Sequence, residues 1–239
     1  MKNLTHLIVA TLFATVISIF AAQTTMARDP VKVDAKHYKV EFENARVRVL
    51  RINYGPKEKS VMHRHPAGVA IYVTDGHSKF TLSGGKTEKR HSKAGEVMWA
   101  PAGSHLPESL SDKPFEVILV ELKGRKAAAK AASVAADDAV TAAAKHHKVE
   151  FENAEVRVLR GNIGPHEKTQ MHGHPANVVI FLTDGHLKST LPDGKTEEAQ
   201  AKAGQIVWRE PVKHESENLS DQPFEAIVVE LKAKSAKIK

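Results

Sequence analysis

Between residues 37 and 123 the apolar positions fall in short runs: VRVLRI (47–52), VAIYV (69–73), VMWA (97–100) and FEVILVEL (115–122). They are rich in β-branched and aromatic residues and show no sustained 3.6-residue stripe, so they are expected to be strands. NYGPKE, DGHSK, SGGK and SDKP separate them, and Asp75-Gly76 is a hairpin signal that recurs at Asp184-Gly185. The whole pattern is then repeated. KVEFENARVRVLR (39–51) matches KVEFENAEVRVLR (148–160) at an offset of 109, and His37–Lys123 lies on His146–Lys232 without a gap. About 53 of about 87 aligned positions are identical, which makes the chain two copies of one domain. Many short strands in so few residues predict an all-β fold, two tandem jelly-roll barrels of antiparallel strands.

The remaining segments differ in composition. Lys2 followed by the apolar run 7–22 and a small-x-small site at Thr25-Met26-Ala27 has the layout of a secretory signal peptide, with Ala22 as the second choice of cleavage site. A periplasmic or secreted protein with no stable membrane anchor after cleavage is the expectation. Residues 124–145, GRKAAAKAASVAADDAVTAAAK, have no hydrophobic stripe and read as an alanine-rich linker without a core-facing side. The expected organisation is therefore signal peptide 1–27, barrel 1 28–123, linker 124–145, barrel 2 146–233 and a basic tail 234–239. Each barrel leaves strand edges and apolar faces that its duplicate can cover, so an intramolecular pair is expected.

The net charge of +7 is spread along the chain and only 5% of residues are aromatic, so nucleic-acid binding is not expected. The absence of cysteine excludes disulfides, thiolate metal sites and a cysteine nucleophile, leaving nitrogen and oxygen ligands for any metal. Fourteen histidines make that restriction interesting.

Both copies keep a first-strand histidine, His37 and His146. They also keep His63, His65, His77 and His105, matched by His172, His174, His186 and His214; His91 and His166 are not shared. His63-x-His65 and His172-x-His174 place two imidazoles on one face of a strand. His105 and His214 each follow forty residues after the second of the pair, and a third imidazole from a neighbouring strand completes a facial three-nitrogen site.

These residues resemble the cupins, and the tandem arrangement resembles a bicupin. Gly55, His63-x-His65 and Gly76, mirrored by Gly164, His172, His174 and Gly185, follow that family's first motif. Gly95-EVMWA-Pro101-Ala-Gly103-Ser-His105 follows the second with one residue missing, and Gly204-QIVWREPVK-His214 keeps the glycine, tryptophan and histidine. The resemblance implies a metal inside each barrel, held by His63, His65 and His105 and by His172, His174 and His214. The motif's glutamate falls near Val69 or Ala70, and near Val178 or Val179, where both copies are apolar. That leaves three-histidine sites like those of thiol-dioxygenase and diketone-cleaving cupins. Without a carboxylate the ion keeps its full charge, which favours an anionic or chelating small molecule.

The expected cofactor is a divalent transition metal, with Fe(II) favoured and Zn, Mn, Ni or Cu as alternatives. The expected activity is an oxygen-dependent, dioxygenase-like oxidation of a small molecule. The alternatives are a non-catalytic binder of metal or ligand and a metal-assisted isomerase or hydrolase. His77, His186, Glu108 and Glu217 are the shared candidates for acid–base roles, against their readings as rim histidines and outward-facing carboxylates. Trp99 and Trp208 read as core before substrate platform, and Glu121 and Glu230 as solvated or lysine-paired carboxylates. The retained Pro101-Ala-Gly103 turn, against Glu210-Pro211-Val212 in the second copy, predicts that barrel 1 is the more active or more selective site.

Overall fold

In the computed structural model, which describes residues 29–124 and 137–232, each copy begins with a short strap, α1 (Pro30–Val33) in the first. Nine strands follow: β1 (Tyr38–Glu43), β2 (Val47–Tyr54), β3 (His63–His65), β4 (Gly68–Tyr72), β5 (Gly76–Leu82), β6 (Thr87–Ser92), β7 (Val97–Ala100), β8 (Gly103–Ser109) and β9 (Phe115–Leu122). The second copy starts with α2 (Ala139–Ala142) and continues with β10 (His147–Glu152), β11 (Val156–Ile163), β12 (His172–His174), β13 (Asn177–Phe181) and β14 (Gly185–Thr190). It ends with β15 (Thr196–Ala201), β16 (Ile206–Arg209), β17 (Val212–Asn218) and β18 (Phe224–Leu231). Each barrel is a five-stranded sheet, β1-β2-β9-β4-β7, facing a four-stranded sheet, β3-β8-β5-β6; the second copy repeats both orders. Strand pairing is antiparallel, as a jelly roll requires. The segment 1–27 and the tail 234–239 lie outside the described residues. Among those described, no helix is long and apolar enough to cross a membrane.

Apolar residues at consecutive positions in β2, β4 and β9 mean that both faces of the large sheet need cover. One face, with Leu50, Ala70, Tyr72, Val117 and Leu119, fills the interior of barrel 1. The alternate residues Val49, Val69, Ile71, Ile118 and Val120 pack against Val158, Val178, Ile180, Ile227 and Val229 of the second copy in one continuous core. The two large sheets therefore meet back to back. Trp99 and Trp208 pack on this seam rather than beside the histidines, and Trp208 stacks on Phe42 with ring centroids 5.9 Å apart. A bulge between Val40 and Phe42 makes this contact possible, because it turns Phe42 outward while Tyr38 and Val40 stay inward; β10 has the same bulge between Val149 and Phe151. At the seam's ends, Arg51 donates to the Gly204 carbonyl and Arg160 to the Gly95 carbonyl, each at 2.6 Å. Both glycines sit at φ 78°, a turn conformation that L side chains rarely adopt.

The stretch 124–145 is not all linker in character. Asp138 caps α2 as Asp29 caps α1, and each aspartate pairs with the arginine of the following strand pair, Asp29 with Arg48 and Asp138 with Arg157. Ala139 and Ala143 are fully buried, so the expectation of no core-facing side fails for residues 137–145. An alanine face is too small to register as a hydrophobic stripe, yet it fits a close approach to a barrel.

Candidate functional site

In barrel 1, β3 and β8 pair with His63 directly opposite His105, so one register puts the three expected histidines on neighbouring strands. His63 and His65 are both buried while Arg64 between them is exposed, as alternation on a strand demands. His63 Nδ1–H donates to the Val61 carbonyl and His65 Nδ1–H to the Pro66 carbonyl, each at 2.9 Å. A carbonyl can only accept, so the Nε2 lone pair of each ring is left free to act as a ligand. His63 Nε2 is buried with no partner, and His65 Nε2 stands 3.3 Å from His105 Nε2. Two nitrogens bound to one ion at about 2.1 Å lie about 3.0 to 3.4 Å apart, so this pair is already at ligand spacing. His63 and His65 are wider apart, with ring centroids at 6.2 Å, and His105 is 5.0 and 4.8 Å from them.

The cluster opens on a cavity of about 430 Å³ whose lining includes His65, His105, Tyr38, Tyr54, Phe80 and Phe115. No lysine or arginine lines it. Tyr38 lies edge-on to His63, at 4.8 Å between centroids, and shares a 3.0 Å hydrogen bond with the Tyr54 hydroxyl. Burial is the first cause that raises both phenols, Tyr38 well above its ordinary value and Tyr54 to about 12, so both keep their protons at neutral pH. Ala70, where a family carboxylate is expected, lines this cavity, and Val179 lines that of barrel 2. Neither barrel supplies a carboxylate there.

Barrel 2 gathers its histidines more tightly and recruits one more. His172 again faces His214 across a strand pair. Yet the three rings whose ligand nitrogens all fall within 4.8 Å of one another are His147, His172 and His174. His214 lies beside them, with its ring centroid 4.8 Å from His172 and 5.6 Å from His174. The sequence reading missed His147. Its signal was in the duplication, because at an offset of 109 His147 stands where the first copy has Tyr38.

A carboxylate stands behind these clusters in both barrels. Glu121 and Glu230 are each 1% exposed and are paired to Arg48 and Arg157 at 2.6 Å, which corrects their reading as solvated or lysine-paired groups. Glu230 also accepts from His174 Nδ1 at 2.7 Å, fixing that ring's tautomer. Glu121 makes no such bond. Its Oε1 is buried without a partner, and burial, the first cause, raises its carboxyl above the usual carboxylate value despite Arg48.

The acid–base candidates lie elsewhere. His77 stacks on His91 at 3.6 Å, and His186 pairs with Glu198 at 3.2 Å. Glu108 is 2.8 Å from Lys79, and Glu217 is 3.8 Å from Lys188. None of these four residues lines either cavity, because their strand positions turn them away from the ligand face. The turn argument for unequal sites also needs correcting. Gly103 opens β8 without a left-handed φ, and Val212 opens β17 at the same register, so no glycine-only conformation is involved. The inequality lies in the cavities, since that of barrel 2 measures only about 80 Å³.

Desolvation is the first cause lowering His105 to about 3, His147 to about 3, His172 to about 4 and His214 to about 2. All are neutral at pH 7. Because their folded values lie below the 6.5 of an ordinary histidine, the unfolded chain takes up protons first. Their stabilisation is complete above pH 6.5 and is lost as the pH falls toward 4. In metal-stripped protein the urea-unfolding free energy should fall over that window, with a limiting slope of about 1.4 kcal/mol per pH unit for each such histidine. A flat profile from pH 7 to 4 would contradict four neutral buried imidazoles.

No protein-family model matches the chain, and no curated protein matches it. Solved structures do. AerE from Microcystis aeruginosa is 13% identical, with 82% of this chain and 98% of that one covered at a TM-score of 0.57. Oxalate decarboxylase from Bacillus subtilis, in a structure described for its Mn(II) centres, is 9% identical over 84% of this chain and 77% of that one, at a TM-score of 0.53. A cupin 2 conserved barrel domain protein from Leptotrichia buccalis is 11% identical over 82% and 88%, at 0.50. At these identities the likeness is one of fold, and the fold of this chain is that of the bicupins, two cupin jelly rolls in one polypeptide.

Proposed function

We propose that the protein is an exported, metal-dependent enzyme whose reaction takes place in barrel 1, an oxygen-dependent oxidation of a small chelating molecule. The observation that carries this reading is the 3.3 Å His65–His105 nitrogen pair at the wall of a cavity large enough for an organic molecule, with His63 Nε2 buried and unpartnered on the strand position opposite His105. The donor set fits a divalent first-row ion: three imidazoles, those of His63 and His65 with tautomers set by backbone carbonyls, and no thiolate or carboxylate. An ion held there by His63, His65 and His105 would supply Lewis-acid and one-electron chemistry at the edge of the cavity.

The residues around it define the rest. Tyr38 and Tyr54 share a hydrogen bond between their hydroxyls at the cavity wall, which makes them proton donors that the lining offers to a ligand. Tyr72, Phe80, Met98 and Phe115 exclude water and favour a flat apolar body. With no cationic side chain in the lining, recognition of a multiply charged anion falls to the metal alone. A phenolic or diketone with one chelating edge therefore suits the cavity better than a small polyanion. Fe(II) is the ion that fits the oxidative reading, and Mn(II) is named for one of the structural neighbours.

The test combines metal analysis of protein recovered from its exported compartment with oxygen uptake on thiols, diketones and phenolics. His105→Ala is expected to lower bound metal by about one equivalent and to reduce uptake at least about a hundredfold. Undiminished uptake in a folded His105→Ala protein would defeat the reading, and stoichiometric ligand binding without uptake would favour a non-catalytic binder.

A further inference from the structure

We propose that barrel 2 holds a divalent transition ion through four imidazoles, His147, His172, His174 and His214, as a filled site that retains metal without turning over substrate. It shares no residue with the reaction proposed for barrel 1. An imidazole centroid sits about 3.2 Å from an ion bound at its Nε2, so centroids of adjacent ligands lie about 4.5 Å apart at right angles and about 5.2 Å apart in a tetrahedron. His147 is 4.6 Å from His172 and 5.4 Å from His174, these two are 4.9 Å apart, and His214 is 4.8 and 5.6 Å from them. The ligand nitrogens of His147, His172 and His174 all lie within 4.8 Å of one another, and His214 stands next to this group against His172 and His174.

Their outer nitrogens are tethered to protein. Nδ1 of His147 reaches the Ala143 carbonyl at 3.3 Å, that of His172 the Gln170 carbonyl at 2.7 Å, that of His174 Glu230, and that of His214 the Ser216 hydroxyl at 3.5 Å. The same edge of every ring is thus left for the ion. His147 also comes with room made for it. Its cross-strand partner is Gly161, where barrel 1 pairs Tyr38 with Ile52, and a Cβ on Gly161 would already lie 3.8 Å from His147 Nε2. A branched side chain there would take the space of the ring.

The cavity completes the case. About 80 Å³ holds two or three waters and excludes an organic substrate next to the ion. Val179, Leu187 and Arg209 fill space that Ala70, Ser78 and Ala100 leave open in barrel 1. Arg209 adds positive charge at the wall, offset by the nearby Glu197 and by Glu230 behind His174. Four neutral nitrogens select Zn(II), Cu(II), Ni(II) or Co(II) over magnesium or calcium.

The experiment isolates each barrel in the full chain. A His63→Ala/His105→Ala protein, stripped of metal and titrated with Co(II), should bind one equivalent with the intense visible bands of a four-coordinate nitrogen site. Catechol, too large for the cavity, should leave that spectrum unchanged. Adding His147→Phe should weaken Co(II) binding at least about tenfold and alter the bands, and His147→Gln serves as a second variant should the phenylalanine protein not fold. No Co(II) binding by the folded double variant, or unchanged affinity in the His147 variants, overturns the proposal. A His172→Ala/His174→Ala protein reports on barrel 1 alone, so failure of the one reading is separable from failure of the other.

Discussion

Ile180→Asp is expected to leave the protein unable to fold as a pair of packed barrels, at a cost of at least about 5 kcal/mol. Ile180 is fully buried in the core between the barrels, paired across strands with Ile206 and Ile227. The substitution removes a side chain worth about 2 to 5 kcal/mol in a packed core, and it leaves a carboxylate without a partner where both sheets exclude water. Ile180→Val, which deletes a single methylene and keeps the branch, should cost only about 0.5 to 1.5 kcal/mol. Urea unfolding of both variants, followed by tryptophan fluorescence, checks this directly because Trp99 and Trp208 pack on the same seam. An aspartate variant within about 1 kcal/mol of the parent would mean that the barrels do not depend on one another.

Arg157→Met should destabilise the protein by about 3 to 5 kcal/mol, because it strands the buried Glu230 carboxylate. Arg157 holds Glu230 at 2.6 Å on one side and the Asp138 cap of α2 on the other. Without the guanidinium, Glu230 keeps His174 as its single partner, and the strap loses its anchor on β11. Adding Glu230→Gln removes the unpaired charge and should recover at least about 2 kcal/mol, which makes the pair a double-mutant cycle. Measured additivity would show that the two residues do not act together.

The barrels were legible because they rest on period-two alternation and a gap-free repeat, signals that lie along the chain. His63 stands opposite His105 because β3 and β8 pair in antiparallel register, and His65 Nε2 reaches to 3.3 Å from His105 Nε2. What escaped was set across strands. Glu121 in a VELK run resembles a surface residue until Arg48 is known to lie opposite it in β2. His147, adjacent to the shared His146, was informative through what the other copy lacks at that position. Residues 137–145 were hidden because alanine buries well without marking a face. The shared His77 and Glu108 sit as their rim and outward-facing readings have it, since retention in both copies also preserves turn stacking and lysine pairs.

The hydrogen bonds at the two ends of the seam mirror each other, Arg51 to Gly204 and Arg160 to Gly95, which is the relation between the halves of a symmetric homodimer. In a homodimer each substitution appears twice, so a histidine at the Tyr38 position would alter both reaction chambers together. Joining the halves in one polypeptide removes that obligation. One chamber can be narrowed to about 80 Å³ while its twin stays at about 430 Å³, with the shared seam untouched. Covalent fusion thus turns a symmetric assembly into one whose two chambers can be selected independently.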